Sequence, residues 1–396
     1  MIAEIVKVFM RRVCSVCLIL LTAGEVYAAE KPPAGRFSWD TVPVCIHFGK
    51  SDGALTEEEL RFVARAADLV CFEKGHGKRQ FGSTEKGIAH DAQRLKAINP
   101  GIMVLYYWNA VLNYELYDAC DEVKNHPDWI LRDKSGQPIY KVRTLEQYNL
   151  VNPAFRQWWA AEAGRAVKER HCDGIFVDAL PQVKSRILRQ MGGADKTRKL
   201  LHDSVIDMMR RAKKAMGPKG ILLYNGLRST ARGTTGEEYL PFADGAMVEH
   251  FTSFGSGSKE AIVRDIDAIA KAGKSGKMVV VKGWPTEPGF NWMNGKKMSL
   301  PLDELAAEAK AQITFSLACF LIAAQDNSYF CYSWGYRERH GSLVDYPEFQ
   351  RPLGAPKADY RRDGWRFTRS FEHARVSVDL STRTANIEWK PIANKQ

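Results

Sequence analysis

The chain has 396 residues, 45% of them hydrophobic and 11% aromatic, a composition that excludes a disordered chain, a collagen-like repeat and a disulfide-stapled miniprotein. Lys and Arg outnumber Asp and Glu by 57 to 46, a net charge of +11 that favours anionic partners through long-range attraction. No run of five or more basic residues accompanies the excess, which argues against nucleic acid as a partner.

At the N-terminus Arg11 and Arg12 precede an apolar run from Val13 to Gly24, and Val26-Tyr27-Ala28 supplies the small or apolar positions of a cleavage site. This pattern predicts a signal peptide over residues 1–28 and an exported mature protein, periplasmic or secreted. Met10, directly before the Arg pair, is a second candidate start. The run is shorter than the ~20 apolar residues a bilayer span needs, and no later stretch is expected to reach that length, so stable membrane insertion is not expected. Cys14 and Cys17 leave with the signal. Most of the six remaining cysteines lie in or beside apolar segments, where a free thiol behaves as a small hydrophobe, and none forms a CxxC pair.

Beyond the leader, short apolar runs alternate with amphipathic stretches. The candidate strands are Val42–Phe48, Leu69–Glu73, Ile102–Trp108, Gly174–Asp178, Ile221–Asn225, Ala246–Phe251, Met278–Lys282 and Ser328–Ser333. Thr56 with Glu59 makes a capping box for one intervening helix, and Ser258 caps another that stops near Gly273. Further helices are expected near 85–98, 153–169, 196–216 and 303–324. Eightfold alternation predicts an α/β fold, a (β/α)8 barrel, over 29–345. The connection from Asn109 to Asn152 is long enough to be functional or separately folded. Residues 346–396 read as a small antiparallel β segment of two or three strands.

Three of these strands share a register. Asp68-Leu-Val-Cys-Phe-Glu73, Asp173-Gly-Ile-Phe-Val-Asp178 and Asp244-Gly-Ala-Met-Val-Glu249 each start with Asp and end in a carboxylate. Alternate strands of a barrel supply one interior layer, so equal offsets predict Glu73, Asp178 and Glu249 at one height in the C-terminal mouth. Strands ~4.8 Å apart place the fourth and sixth about 10 Å apart at the backbone, and inward side chains bring their carboxyls closer. Paired carboxyls about 5–9.5 Å apart serve glycoside hydrolysis, with the shorter Asp178 suited to nucleophile and the longer Glu249 to acid.

Aromatic and amide groups gather at the same strand ends. Tyr106, Trp108, Asn109, Asn225, Trp284 and Trp334 are candidate sugar contacts, since sugars present apolar C–H faces and a hydroxyl edge. Arg228 and Lys282 are candidates for an anionic substituent. Glu287 is the rival second carboxylate. His47 and His250 with Glu73 and Asp178 leave a metal-assisted hydrolase open, although no spacing demands a metal, and no nucleotide-binding loop or cofactor motif is present. A catalytically silent carbohydrate-binding barrel is the other alternative.

At these residues the chain resembles glycoside hydrolase-like family 15, a group of glycosidase barrels. The likeness rests on Asn125-His-Pro-Asp-Trp129 with the following Asp-Lys-Ser-Gly turn, Asn152-Pro153 leading into Trp158-Trp159, Asp173–Asp178, Met247-Val-Glu-His250 and Phe367-Thr-Arg-Ser-Phe-Glu-His373. Similarity to the α-galactosidase-like clan of barrels implies a nucleophilic Asp ending strand four and an acid/base carboxylate ending strand six, roles that fall on Asp178 and Glu249. That clan commonly has Asp where this chain has Glu249. The implied activity is hydrolysis of a poly- or oligosaccharide.

Overall fold

The computed structural model describes residues 37–141, 144–227, 236–286, 290 and 299–390. The leader 1–28, Arg228 and Glu287 lie outside those residues. Eight parallel strands pair in chain order: β1 (Cys45–Phe48), β2 (Leu69–Phe72), β3 (Met103–Asn109), β4 (Gly174–Asp178), β5 (Ile221–Asn225), β6 (Gly245–Phe251), β7 (Met278–Gly283) and β8 (Ser328–Tyr332). A parallel bridge between Val44 and Phe330 joins first edge to last and brings the sheet to a nearly closed barrel. Nearly every strand residue is buried, as expected where helices cover one face and a packed interior the other.

The aspartates that open the repeated motif do structural work at the opposite end from the mouth. Asp68, Asp173 and Asp244 accept the backbone N–H groups of Val44, Val104 and Leu222 at 3.0, 2.8 and 2.7 Å. Each thereby ties an even-numbered strand to the line of its odd-numbered predecessor. Lys96 and Lys213 neutralise Asp173 and Asp244 at 2.6 and 2.7 Å. Asp68 relies on its backbone bonds, and burial pushes its carboxyl above the ordinary value.

Helices Glu57–Ala66, Thr84–Ile98, Pro153–Glu169, Asp195–Met216, Lys259–Lys274 and Leu302–Ala323 form most of the outer layer. The capping box is present, with Glu59 N–H on Thr56 and Thr56 N–H on Glu59, and Ser258 caps its helix as the sequence predicts. Leu302–Ala323 corrects one expectation, because by length and composition it is apolar enough to cross a membrane. Its composition reflects double burial: it packs on β7 and β8 and against the C-terminal sheet.

That sheet has four antiparallel strands, β9 (Arg361–Asp363), β10 (Arg366–Ser370), β11 (Ala374–Asp379) and β12 (Thr384–Trp389), in the order β12-β11-β10-β9. The fourth escaped the sequence reading because Arg361–Asp363 is exposed throughout and has no apolar alternation. Arg369 docks the sheet. It is 3% exposed, its guanidinium donates to the carbonyls of Leu321, Ile322 and Ala324 at the end of Leu302–Ala323, and its Nε donates to Ala358. A cation at a helix C-terminus satisfies orphan carbonyls and complements the helix dipole.

The Asn109–Asn152 connection is folded. Trp129, Tyr148, Phe155 and Trp158 make its aromatic core, and bridges such as Tyr140–Glu146 pair its arms. All six cysteines from Cys45 to Cys331 are buried and free.

Candidate active site

Above the barrel's interior opens a cavity of about 1460 Å³, larger than the roughly 300–1,000 Å³ that suits a small ligand. His47, Glu73, Asp178, Asn225 and Glu249 line it, each from the C-terminal end of a different strand. All three motif-ending carboxylates therefore reach the same space.

Asp178 ends β4, and four donors meet its two oxygens. Tyr107 Oη donates to Oδ2 at 2.6 Å and Asn109 Nδ2 to the same oxygen at 3.4 Å. Asn225 Nδ2 and the Ala179 N–H donate to Oδ1 at 3.0 and 2.7 Å. Two donors thus converge on each of its oxygens, a shell that suits a carboxylate acceptor. Ala179 holds φ at 74°, a left-handed conformation that a non-glycine residue adopts at a cost, as the chain turns from β4 into the helical turn Leu180–Gln182.

Glu249 stands in a bulge of β6, where pairing with β7 shifts register between Val248 and Phe251. Bulges next to active sites re-aim side chains. Here the carboxylate takes Tyr336 Oη at 2.6 Å on Oε1, and Asn225 Nδ2 at 2.9 Å and His250 Nε2 at 3.4 Å on Oε2. The Asn225 amide nitrogen is thus shared between Asp178 and Glu249, so their bonded oxygens lie no farther apart than about 6 Å.

Glu73 differs in kind. His47 Nε2 lies 3.0 Å from one oxygen and Lys74 Nζ 2.6 Å from the other. Burial pushes its carboxyl up, but Lys74 and His47 outweigh burial and hold it at about 2. A permanently ionised, doubly paired carboxylate is unsuited to proton transfer near neutral pH. It pairs with Lys74, whose ammonium sits 4.3 Å from the Tyr107 ring centroid.

Other candidates sit differently. Asn109 faces the interior, bonding Asp178 and capping the loop N–H groups of Val111 and Leu112. Tyr106 and Trp108, one residue out of phase with it, point into the helix layer: Trp108 donates to the Trp159 carbonyl and Tyr106 lies under Arg170. Trp334 is fully buried against Phe290 and Gly341, where a Cβ would come within 2.2 Å of the indole. These three pack the barrel wall and are not sugar platforms in this structure. Trp284 is 1% exposed and donates to the Glu249 carbonyl at 2.7 Å, bracing the bulge from behind. Lys282 is fully buried, donating to Ser333 Oγ and its carbonyl at 2.6 and 3.0 Å under the faces of Trp284 and Tyr336. It cannot meet an anion in the cavity.

Tyr107, Tyr114, Phe176 and Tyr336 are the aromatic side chains that do line the space. Tyr107 was legible by parity, since Asn109 inward requires 107 inward. Tyr114 comes from the long connection and Tyr336 from the segment after β8, where no strand period applies. Burial raises the Tyr107 and Tyr336 phenols further above their ordinary value, reinforced by Asp178 and Glu249 respectively, so both remain donors. Among the described residues no group of three His, Cys, Asp or Glu side chains is arranged to hold a metal ion.

An α-amylase from Lactobacillus plantarum shares 13% identity over 86% of this chain and 87% of its own, with a TM-score of 0.51, a likeness of fold. An α-galactosidase from Thermus thermophilus shares 15% over 87% of this chain and 67% of its own, with a TM-score of 0.46. An α-L-fucosidase from Paenibacillus thiaminolyticus shares 13% over 78%, with a TM-score of 0.48, and this chain spans 48% of its length. No curated protein matches the sequence. The family described as hypothetical glycosyl hydrolase family 15 matches residues 96–375, well over half of the chain, so this protein belongs to that family and is a glycoside hydrolase acting on O-glycosyl bonds.

Proposed function

We propose that the protein is an exported, retaining glycoside hydrolase acting on a poly- or oligosaccharide, with Asp178 as nucleophile and Glu249 as acid/base. The observation that carries this reading is the single Asn225 amide bonded to both carboxylates, which favours the roughly 5–5.5 Å separation of retaining enzymes over the wider inverting pair. Asp178 attacks the anomeric carbon while Glu249 gives its proton to the departing glycosidic oxygen. Glu249 then takes a proton from water, which attacks the same carbon and releases the sugar from Asp178. Tyr107, Asn109 and the Ala179 N–H receive the carboxylate as it leaves.

Asp178→Asn and Glu249→Gln are each expected to abolish turnover of any glycan the wild type cleaves, and full activity in either sinks the assignment. Proton NMR of the first-formed product reads the stereochemistry. The expected anomer retains the substrate's configuration, and an inverted one overturns the mechanism. Export is tested by sequencing the N-terminus of protein recovered outside the cytoplasm, where the expected first residue is Ala29.

A further inference from the structure

Six cationic side chains of Lys and Arg line the cavity, and they fall into two groups. Lys74 is paired with Glu73 and Arg79 with Asp52, both at 2.6 Å, while Lys78 donates to the Glu115 carbonyl at 2.7 Å. Lys141, Arg189 and Arg337, like Lys78, have no carboxylate partner among the described residues; Arg189 Nε donates to the Ser185 carbonyl at 3.1 Å, and Arg189 and Arg337 are exposed. They come from three separate places around the mouth: the long connection after β3, the helical turn Leu188–Gln190 after β4, and the segment after β8.

Lys141 is the most telling. It is half-buried, its backbone N–H donating to the Leu145 carbonyl across the loop arm and its carbonyl accepting from Arg186. Burial pulls its ammonium below the ordinary value, the charges of Arg186 and Lys74 act in the same direction, and Asp178 and Glu249 oppose the shift. Keeping an ammonium partly out of water with no carboxylate in direct contact is unfavourable, and a ligand carrying a negative group supplies that contact. A neutral sugar has only hydroxyls to give. Arg189 and Arg337 add forked donors that match carboxylate and sulfate geometry.

We propose that the cavity takes an anionic glycan, bearing carboxylate or sulfate groups, with Lys141, Arg189 and Arg337 as contacts flanking the Asp178–Glu249 pair. The cations also offset the repulsion that Glu73, Asp178 and Glu249 would exert on such a chain. This inference rests on the glycosidase reading for the nature of the occupant.

The test measures binding apart from turnover. Titration calorimetry with the full-length Asp178→Asn protein compares polygalacturonate and alginate with their carboxyl-reduced forms, and chondroitin sulfate with its desulfated, carboxyl-reduced form. The expected result is a preference of about tenfold or more for at least one acidic polymer over its neutralised counterpart. Lys141→Met and Arg337→Ala are each expected to reduce that ratio several-fold, and Lys141→Arg to keep it. Equal affinity for every acidic and neutral pair overturns the proposal, as does a preference that survives removal of all three cations. A preference that stands while the wild-type protein cleaves nothing overturns the catalytic reading alone. Efficient cleavage of a neutral glycan with no acidic preference overturns this one alone.

Discussion

Tyr107 on β3 donates a 2.6 Å hydrogen bond to Asp178 at the end of β4, two residues farther along the neighbouring strand than its own register partner Phe176. The phenol spans the rise that separates them, and Asn109 Nδ2 donates to its oxygen at 3.0 Å, so the tyrosine is held as it holds the carboxylate. Tyr107→Phe keeps the ring and its contact with Phe176. A hydrogen bond to a charged group is worth roughly 1.5–3 kcal/mol, so kcat is expected to fall about 10- to 100-fold with little change in melting temperature. Because the carboxylate loses a donor when it departs, a glycosyl-enzyme should accumulate, detectable by mass spectrometry of the quenched reaction. Unchanged kcat would remove Tyr107 from the mechanism.

Asn225 is the joint between the two proposed catalytic groups. Asn225→Ala leaves both carboxylates without their common donor and lets them separate. The expected loss is about 10²- to 10³-fold in kcat, comparable to removal of an oriented amide at other charge-developing centres, with KM changing much less. Asn225→Asp places a third negative charge between the pair and is expected to be worse than Ala. Should the Asp variant outperform the Ala variant, the bridging account fails.

Glu73 gives the fold an acid limit. Its carboxyl is held at about 2 against an ordinary 4.5, so the unfolded chain takes up that proton before the native state does. The stabilisation is complete above about pH 4.5 and declines as pH falls toward 2, by up to about 3 kcal/mol in all. Urea unfolding at pH 6 and pH 3 is expected to show about 2 kcal/mol of this loss, with a smaller difference in Glu73→Gln. An equal difference in wild type and variant would show that Glu73 does not set the acid limb.

Arg369 carries the attachment of the C-terminal sheet. Arg369→Met retains much of the aliphatic stem and leaves the carbonyls of Leu321, Ile322 and Ala324 without their buried donor. A loss of roughly 2–4 kcal/mol in unfolding free energy is expected, read by denaturant titration. Burial pulls the guanidinium down to about 10, still charged at any pH where the protein would be assayed, so the penalty should not depend on pH between 5 and 8.

Sequence alone determined the barrel and the three strand-end carboxylates. Eight apolar runs separated by capped amphipathic helices admit few other architectures, and the positions of Asp178 and Glu249 follow from counting along strands whose ends lie at one mouth. Which side chains face that mouth was less legible. Strands buried on both faces have no hydrophobic alternation, so Tyr106 and Trp108 could not be told from Tyr107 without the inward Asn109 as a phase marker. Only the tertiary structure decided the rest. The β6 bulge aims Glu249, the segment after β8 delivers Tyr336, and the folded connection after β3 brings Tyr114 and Lys141 over the cavity. Those placements depend on packing between residues distant in the chain, such as Trp284 behind Glu249 and Trp129 against Trp158 in the connection after β3, and no local periodicity encodes such contacts.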